Sequence, residues 1–282
     1  MNIGIRLHDT AEGTLSQRLG FAKAQGFSCA HLAMSKALKG FAMDEAPALL
    51  TDELAARVRD DFARQGMECA VLGCYLSLAN TREEERAKVQ EIYRAHLRFA
   101  KKIGAGVVGT ETPPARNLAF SQPAPQSEEA FQLFISCLSP VVRWAEEEDA
   151  VIAIEPVFSH IVSTPEKAER MLTLLHSDHL RIILDAVNLL SPETVNKADE
   201  IIAEAICRLG DKVSVLHMKD YLAVKPGDVS LESVACGTGL MKYDRLLKFA
   251  KEKQLPMTLE NTNPGNAESA RVLLEQLAEE LA

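Results

Sequence analysis

The chain has 282 residues, 47% hydrophobic and 25% charged, a globular balance that excludes a disordered or low-complexity scaffold and leaves room for two ordinary domains or one large barrel. Lys and Arg number 31 against 40 Asp and Glu, and the resulting formal charge of −9 repels nucleic acid and anionic lipid, so neither is an expected partner. Nowhere does the sequence run the roughly 18 apolar residues that a membrane span needs.

From the start, Met1 to Asp9 reads as a strand carrying Arg6 and Asp9, without the basic start, apolar run and cleavage site of a secretory signal. Short runs rich in Ile, Val and Leu then recur at Ser28–Ala33, Glu68–Leu72, Gly106–Thr110, Val151–Ile154, Arg181–Leu184, Val213–His217 and Pro256–Leu259; the first is Ile3–Leu7. Such runs lack polar alternation, the pattern of strands buried on both faces of a parallel sheet. Between them lie helical patterns at Thr51–Gln65, Glu84–Ile103, Ser127–Glu148, Pro165–His176, Ala198–Leu209, Tyr243–Lys253 and Ala267–Leu281. Leu54, Val58 and Phe62 keep fourth-residue spacing in the first of these, as a helix packed on one face requires.

Boundary chemistry agrees with this division. Ser127 before two glutamates, and Thr164 before Pro165, are helix N-terminal signals, while Gly26, Gly66 and Gly104 stand just before strands, where a helix ends in a left-handed turn. Repeated βα units imply a parallel α/β fold, and eight of them in this length match a (β/α)8 TIM barrel forming a single domain over residues 1–282. The competing doubly wound sheet lacks support, since no GxGxxG follows the first strand. Thr112–Gln126, with four prolines, reads as a long loop after the fourth strand, at the end of the barrel where active sites form. The apolar stripes of Ser127–Glu148 and Ala267–Leu281 suit either packing on the barrel or a contact in a homo-oligomer. Six cysteines (Cys29, Cys69, Cys74, Cys137, Cys207 and Cys236) form no CxxC pair and read as free thiols of a reducing, cytoplasmic setting.

The chemistry-bearing residues gather at the ends of the last four strands: Glu155, Asp185, His217 and Glu260. A charge abutting a buried strand costs several kcal/mol unless it is paired or bound to a cation, and four in succession point to a common partner. Three carboxylates and one imidazole suit a divalent ion of the Mn2+ or Mg2+ type, with Co2+ also admissible, rather than structural zinc.

On this strand-end set, and over nearly its whole length in strand order, the chain resembles the xylose isomerase-like barrels, specifically the sugar phosphate isomerase/epimerase group that includes ketose 3-epimerases. The resemblance implies that Glu155, Asp185, His217 and Glu260 hold one divalent metal ion, commonly manganese, magnesium or cobalt, and that Glu155 and Glu260 act as acid and base on opposite faces of a small sugar. A metal on the carbonyl oxygen stabilises the enediolate formed when the neighbouring proton leaves, so the outcome is 3-epimerisation, or aldose–ketose isomerisation if the proton returns one carbon away. His160, five residues past Glu155, resembles a substrate hydroxyl contact of the group or is a surface histidine. Asn188 has a similar place after the sixth strand. Lys219 either offsets oxyanion charge or pairs with Asp220, and Glu111 is a substrate contact or a salt-bridge partner. His8 and His31 face the mouth if the strand registers are as read. Ala235–Gly239 supplies glycines for a close ligand approach or for a turn. Other readings are a dehydratase of inosose-type ketones, an endonuclease of the same superfamily, for which the net charge is wrong, and a sugar-binding barrel without turnover.

Overall fold

A computed structural model describes residues 1–112 and 126–281. The expected loop Thr112–Gln126 therefore falls almost wholly outside the described residues. Seven strands run β1 Ile3–Arg6, β2 Cys29–Ala33, β3 Glu68–Gly73, β4 Val107–Glu111, β5 Ile152–Glu155, β6 Leu180–Asp185 and β7 Val213–Met218. A two-stranded antiparallel hairpin, β8 Asp220–Tyr221 with β9 Ser233–Val234, intervenes before the eighth barrel strand, β10 Met257–Leu259. All eight barrel strands pair in parallel and close in the order β1-β10-β7-β6-β5-β4-β3-β2, the TIM barrel expected.

The helices are α1 Leu15–Ala24, α2 Met34–Ala37, α3 Ala46–Leu49, α4 Asp52–Gln65, α5 Glu83–Ile103, α6 Glu128–Glu147, α7 Pro165–Leu175, α8 Ala198–Leu209, α9 Asp244–Lys253 and α10 Ala267–Glu280. Ser127 and Thr164 cap α6 and α7 by accepting from the backbone N–H of Ala130 and Lys167. Gly26, Gly66 and Gly104 all carry positive φ before a strand, as their positions predict. The apolar faces of α6 (Phe131, Phe134, Leu138, Val141) and α10 (Ala270, Leu274) are buried against this chain's own core. That core lies mainly between barrel and helices. A second, smaller cluster fills the barrel, with Cys29, Val71, Val107, Ala153, Ile183 and Val215.

In a parallel sheet, residues level with each other face the same side. Arg6 is level with His31, Glu111 with Glu155, and Asp185 with His217. The register slips by one residue between Ala30 and His31 against β3 and between Ile182 and Ile183 against β7, and the level of Asp185 with His217 depends on the second slip. Without the second slip Asp185 would stand beside Leu216 instead of His217. Such irregularities redirect side chains next to sites.

Outside the barrel, α5 buries His96 completely, its Nδ1 2.8 Å from the Ile92 carbonyl oxygen. Burial pushes its pKa down to about 4. An unfolded histidine titrates near 6.5, so between these values the unfolded chain binds more protons and stability rises with pH. The stability that neutral His96 keeps above pH about 6.5 is lost on approaching pH 4, by about 3 kcal/mol. Urea unfolding at pH 7 and pH 4 should show wild type losing that much more than His96→Leu; equal losses would contradict it.

Candidate metal centre and substrate cavity

Each of the four strand-end residues is buried. Glu155 and Asp185 are the last residues of β5 and β6, His217 is the penultimate residue of β7, and Glu260 follows β10 directly. His217 Nδ1 sits between the two glutamates, 3.1 Å from Glu155 Oε2 and 3.3 Å from Glu260 Oε1. Lys219 Nζ lies 2.9 Å from Asp185 Oδ2 and 3.4 Å from Glu260 Oε2 and donates to Asn188 Oδ1 at 2.7 Å. Asn188 in turn donates to Glu155 Oε1 at 2.6 Å, and its backbone N–H donates to Asp185 Oδ1 at 3.0 Å. Asn188 and Lys219 thus hold three carboxylates in place, and Lys219 turns away from Asp220.

Asp220 has a different task. It accepts from the backbone N–H groups of Tyr221, Gly237, Gly239 and Met241 and from the Tyr243 hydroxyl, all at 2.8–3.1 Å. A Cβ on Gly239 would lie 2.2 Å from the Tyr221 carbonyl oxygen, so the Ala235–Gly239 glycines make a turn closed around this carboxylate.

Opposing forces act on the titrations. Burial lowers His217, but Glu155 and Glu260 outweigh it and lift the imidazole to about 9. Burial raises Glu260, but His217, Lys219 and Arg6 hold it well below the ordinary carboxylate range. For Asp185 burial prevails over Lys219, giving a value near 6. Glu111 is pushed up to about 7 by burial and by Glu155 and Glu260.

Donor chemistry and charge both fit a cation. Ligand atoms of Glu155, Asp185 and His217 lie within 4.8 Å of one another, and so do those of His31, His217 and Glu260. His217 Nε2 is buried without a hydrogen bond among the described residues. Glu155, Asp185 and Glu260 against Lys219 leave two negative charges, which a divalent ion neutralises with His217 in its neutral form; Arg6 is matched separately by Asp9.

Beside Glu260 and Glu111 opens a cavity of about 340 Å3, bounded also by Arg6, His8, His31, Lys36 and Tyr75. His8 is on the wall, edge-on to His31 at 6.5 Å, in a 3-10 turn rather than a strand. Fully buried His31 is sandwiched between His217 (5.3 Å) and Tyr75 (5.7 Å). Gly73 permits this stack, because a Cβ there would meet His31 Nε2 at 2.7 Å and the Tyr75 ring at 2.9 Å. His160 Nδ1 is 3.7 Å from Glu111 Oε2, so the loop after β5 brings His160 to the end of β4. Arg6 and Tyr75 were not singled out as site residues by the sequence. Arg6 had a signal, alternation with inward Gly4 on β1; Tyr75 lies beyond the end of β3 and had none.

No protein of curated function matches the chain. Among solved structures, a D-tagatose 3-epimerase-like protein superposes with TM-score 0.76 at 17% identity, over 100% of this chain and 98% of that one. The 3-keto-D-glucoside 4-epimerase YcjR from E. coli gives 0.72 at 14%, over 98% and 99%. The IOLI protein, solved with a bound zinc atom, gives 0.70 at 17%, over 100% and 98%. At these identities the likeness establishes the shared barrel. A profile described as xylose isomerase-like TIM barrel matches residues 19–279, nearly the whole chain, and the protein belongs to that family.

Proposed function

We propose that the protein is a metal-dependent sugar isomerase or epimerase acting on a small ketose or related polyol through an enediolate. The observation that carries this is the placing of Glu155 and Glu260 on either side of His217, with Asp185 level with it, beside an open cavity. Glu155, Asp185, His217 and Glu260 would hold one divalent ion, Mn2+ foremost, with Mg2+ or Co2+ as alternatives. When bound, the ion polarises the substrate carbonyl and lowers the cost of the charge that develops as the neighbouring proton leaves.

Glu155 and Glu260 then divide the proton work. One takes the proton from its face of the substrate carbon, and the other supplies one from the opposite face, inverting the centre. Asn188 and Lys219 keep the carboxylates oriented and offset charge, and His8, Glu111 and His160 meet substrate hydroxyls. Incubating the protein and Mn2+ in deuterated water with ketoses, ketose phosphates and inosose-type ketones tests the reading. Deuterium uptake at the carbon next to the carbonyl is expected for at least one class; no uptake from any of them would overturn it. An inosose-type dehydratase also begins with this proton removal, and loss of water from the product would identify it.

Lys219 has a separable effect on stability. In metal-free protein, Lys219→Met takes from buried Asp185 the cation 2.9 Å away and from Glu260 one of its cations, a loss of about 3–5 kcal/mol for a broken buried pair. Mn2+ should recover more stability in this variant than in wild type. Thermal melts with EDTA and with Mn2+ measure both gaps, and equal gaps would contradict the shared-cation account.

A further inference from the structure

The cavity is electrically lopsided. Glu260 and Glu111 lie on the side of the strand-end carboxylates, whereas Arg6, His8 and Lys36 supply basic groups at the β1–β2 side. Arg6 is already engaged: its Nε and Nη2 reach Asp9 Oδ2 at 3.0 Å, and its Nη1 is 3.5 Å from Glu260 Oε1. Burial, with Arg6 and more weakly Lys36 nearby, lowers His8, which enters the cavity as a neutral imidazole. Lys36 differs from both. It is exposed, lines the cavity in α2 directly after β2, and has no ion-pair partner among the described residues. Exposed Ser35 precedes it on the same wall.

We propose that the substrate carries an acidic group, carboxylate or phosphate, at the end away from the reacting carbon, and that Lys36, assisted by Ser35, receives it. This rests on the isomerase/epimerase reading and narrows its substrate to acidic ketoses or polyols. A neutral sugar is recognised by paired donors and acceptors, whereas an ammonium group offers donors and a full charge. An anion in this cavity is repelled by Glu111 and Glu260 and attracted by Lys36, so a substrate charged at one end enters in one orientation, with its carbonyl toward Glu260.

Calorimetric titration of the full chain with D-glucitol, D-gluconate and D-glucitol 6-phosphate, with and without EDTA, tests the idea. At least one acid should bind about tenfold or more tighter than glucitol, and which one does separates carboxylate from phosphate. Lys36→Met should erase that preference, Lys36→Arg should retain most of it, and added salt should reduce it. Equal binding of all three ligands, or a preference that survives Lys36→Met, would overturn the assignment. If no ketose exchanges deuterium while Lys36-dependent binding persists, the isomerase reading falls and the acidic-ligand site stands; exchange without acid preference has the reverse meaning.

Discussion

Glu155→Gln and Glu260→Gln should each abolish interconversion of epimers and reduce solvent deuterium exchange from one epimer by about 10^2- to 10^4-fold, the scale of a lost general acid or base. The two variants should fail on opposite epimers, because each removes the base on one face, and the double variant should fail on both. Gln keeps the size and one carboxamide oxygen, so Asn188 still finds an acceptor at position 155 and His217 keeps its neighbour at 3.1 Å. Saturating metal separates proton chemistry from weakened metal binding. Full exchange of both epimers in both variants would remove the acid/base assignment.

The second large effect is on folding. Asp220→Ala takes the acceptor from four backbone N–H groups and the Tyr243 hydroxyl, and three of these five bonds, those with Tyr221, Met241 and Tyr243, are buried. Each buried donor left unpaired costs about 1–3 kcal/mol, so the variant should lose on the order of 3 kcal/mol or more. Asp220→Asn should fall between, since an amide turns N–H donors toward some of the same N–H groups. Urea unfolding should show a lower midpoint with unchanged slope. A variant within about 0.5 kcal/mol of wild type, the range of an ordinary surface change, would mean that this carboxylate does not hold the turn.

Why the barrel was readable and parts of its site were not follows from where information lies along the chain. Strands buried on both faces, such as Val-Ile-Ala-Ile before Glu155 and Ile-Ile-Leu before Asp185, advertise themselves by composition, and the polar residue that ends each run marks the mouth. Helix α1 gave no such signal: it buries only Leu15, Leu19 and Ala22 and leaves Phe21 exposed, so no apolar stripe stands out. The β8–β9 hairpin was equally silent, being two residues per strand. Lateral relations were the least accessible. The slips that bring His31 level with Val71 and Asp185 level with His217 are properties of neighbouring strands. Lys219 beside Asp220 looks like an adjacent pair, yet alternation along an extended segment sends the two to opposite sides, one into the carboxylate cluster and the other into the turn. Tyr75 enters the site only because Gly73 has no side chain, a relation visible once His31 and the ring are seen to share that space.

The central claim is that Glu155, Asp185, His217 and Glu260 form one centre for one divalent ion. Mn2+ titration of EDTA-stripped protein by calorimetry, with the bound metal counted by elemental analysis, tests it most directly. The account predicts one ion per chain in wild type and affinity lowered at least about a hundredfold in His217→Ala and Asp185→Asn, as ligand loss at a metal site requires. Wild type that takes up no ion, or variants that bind it as tightly as wild type, would contradict the account.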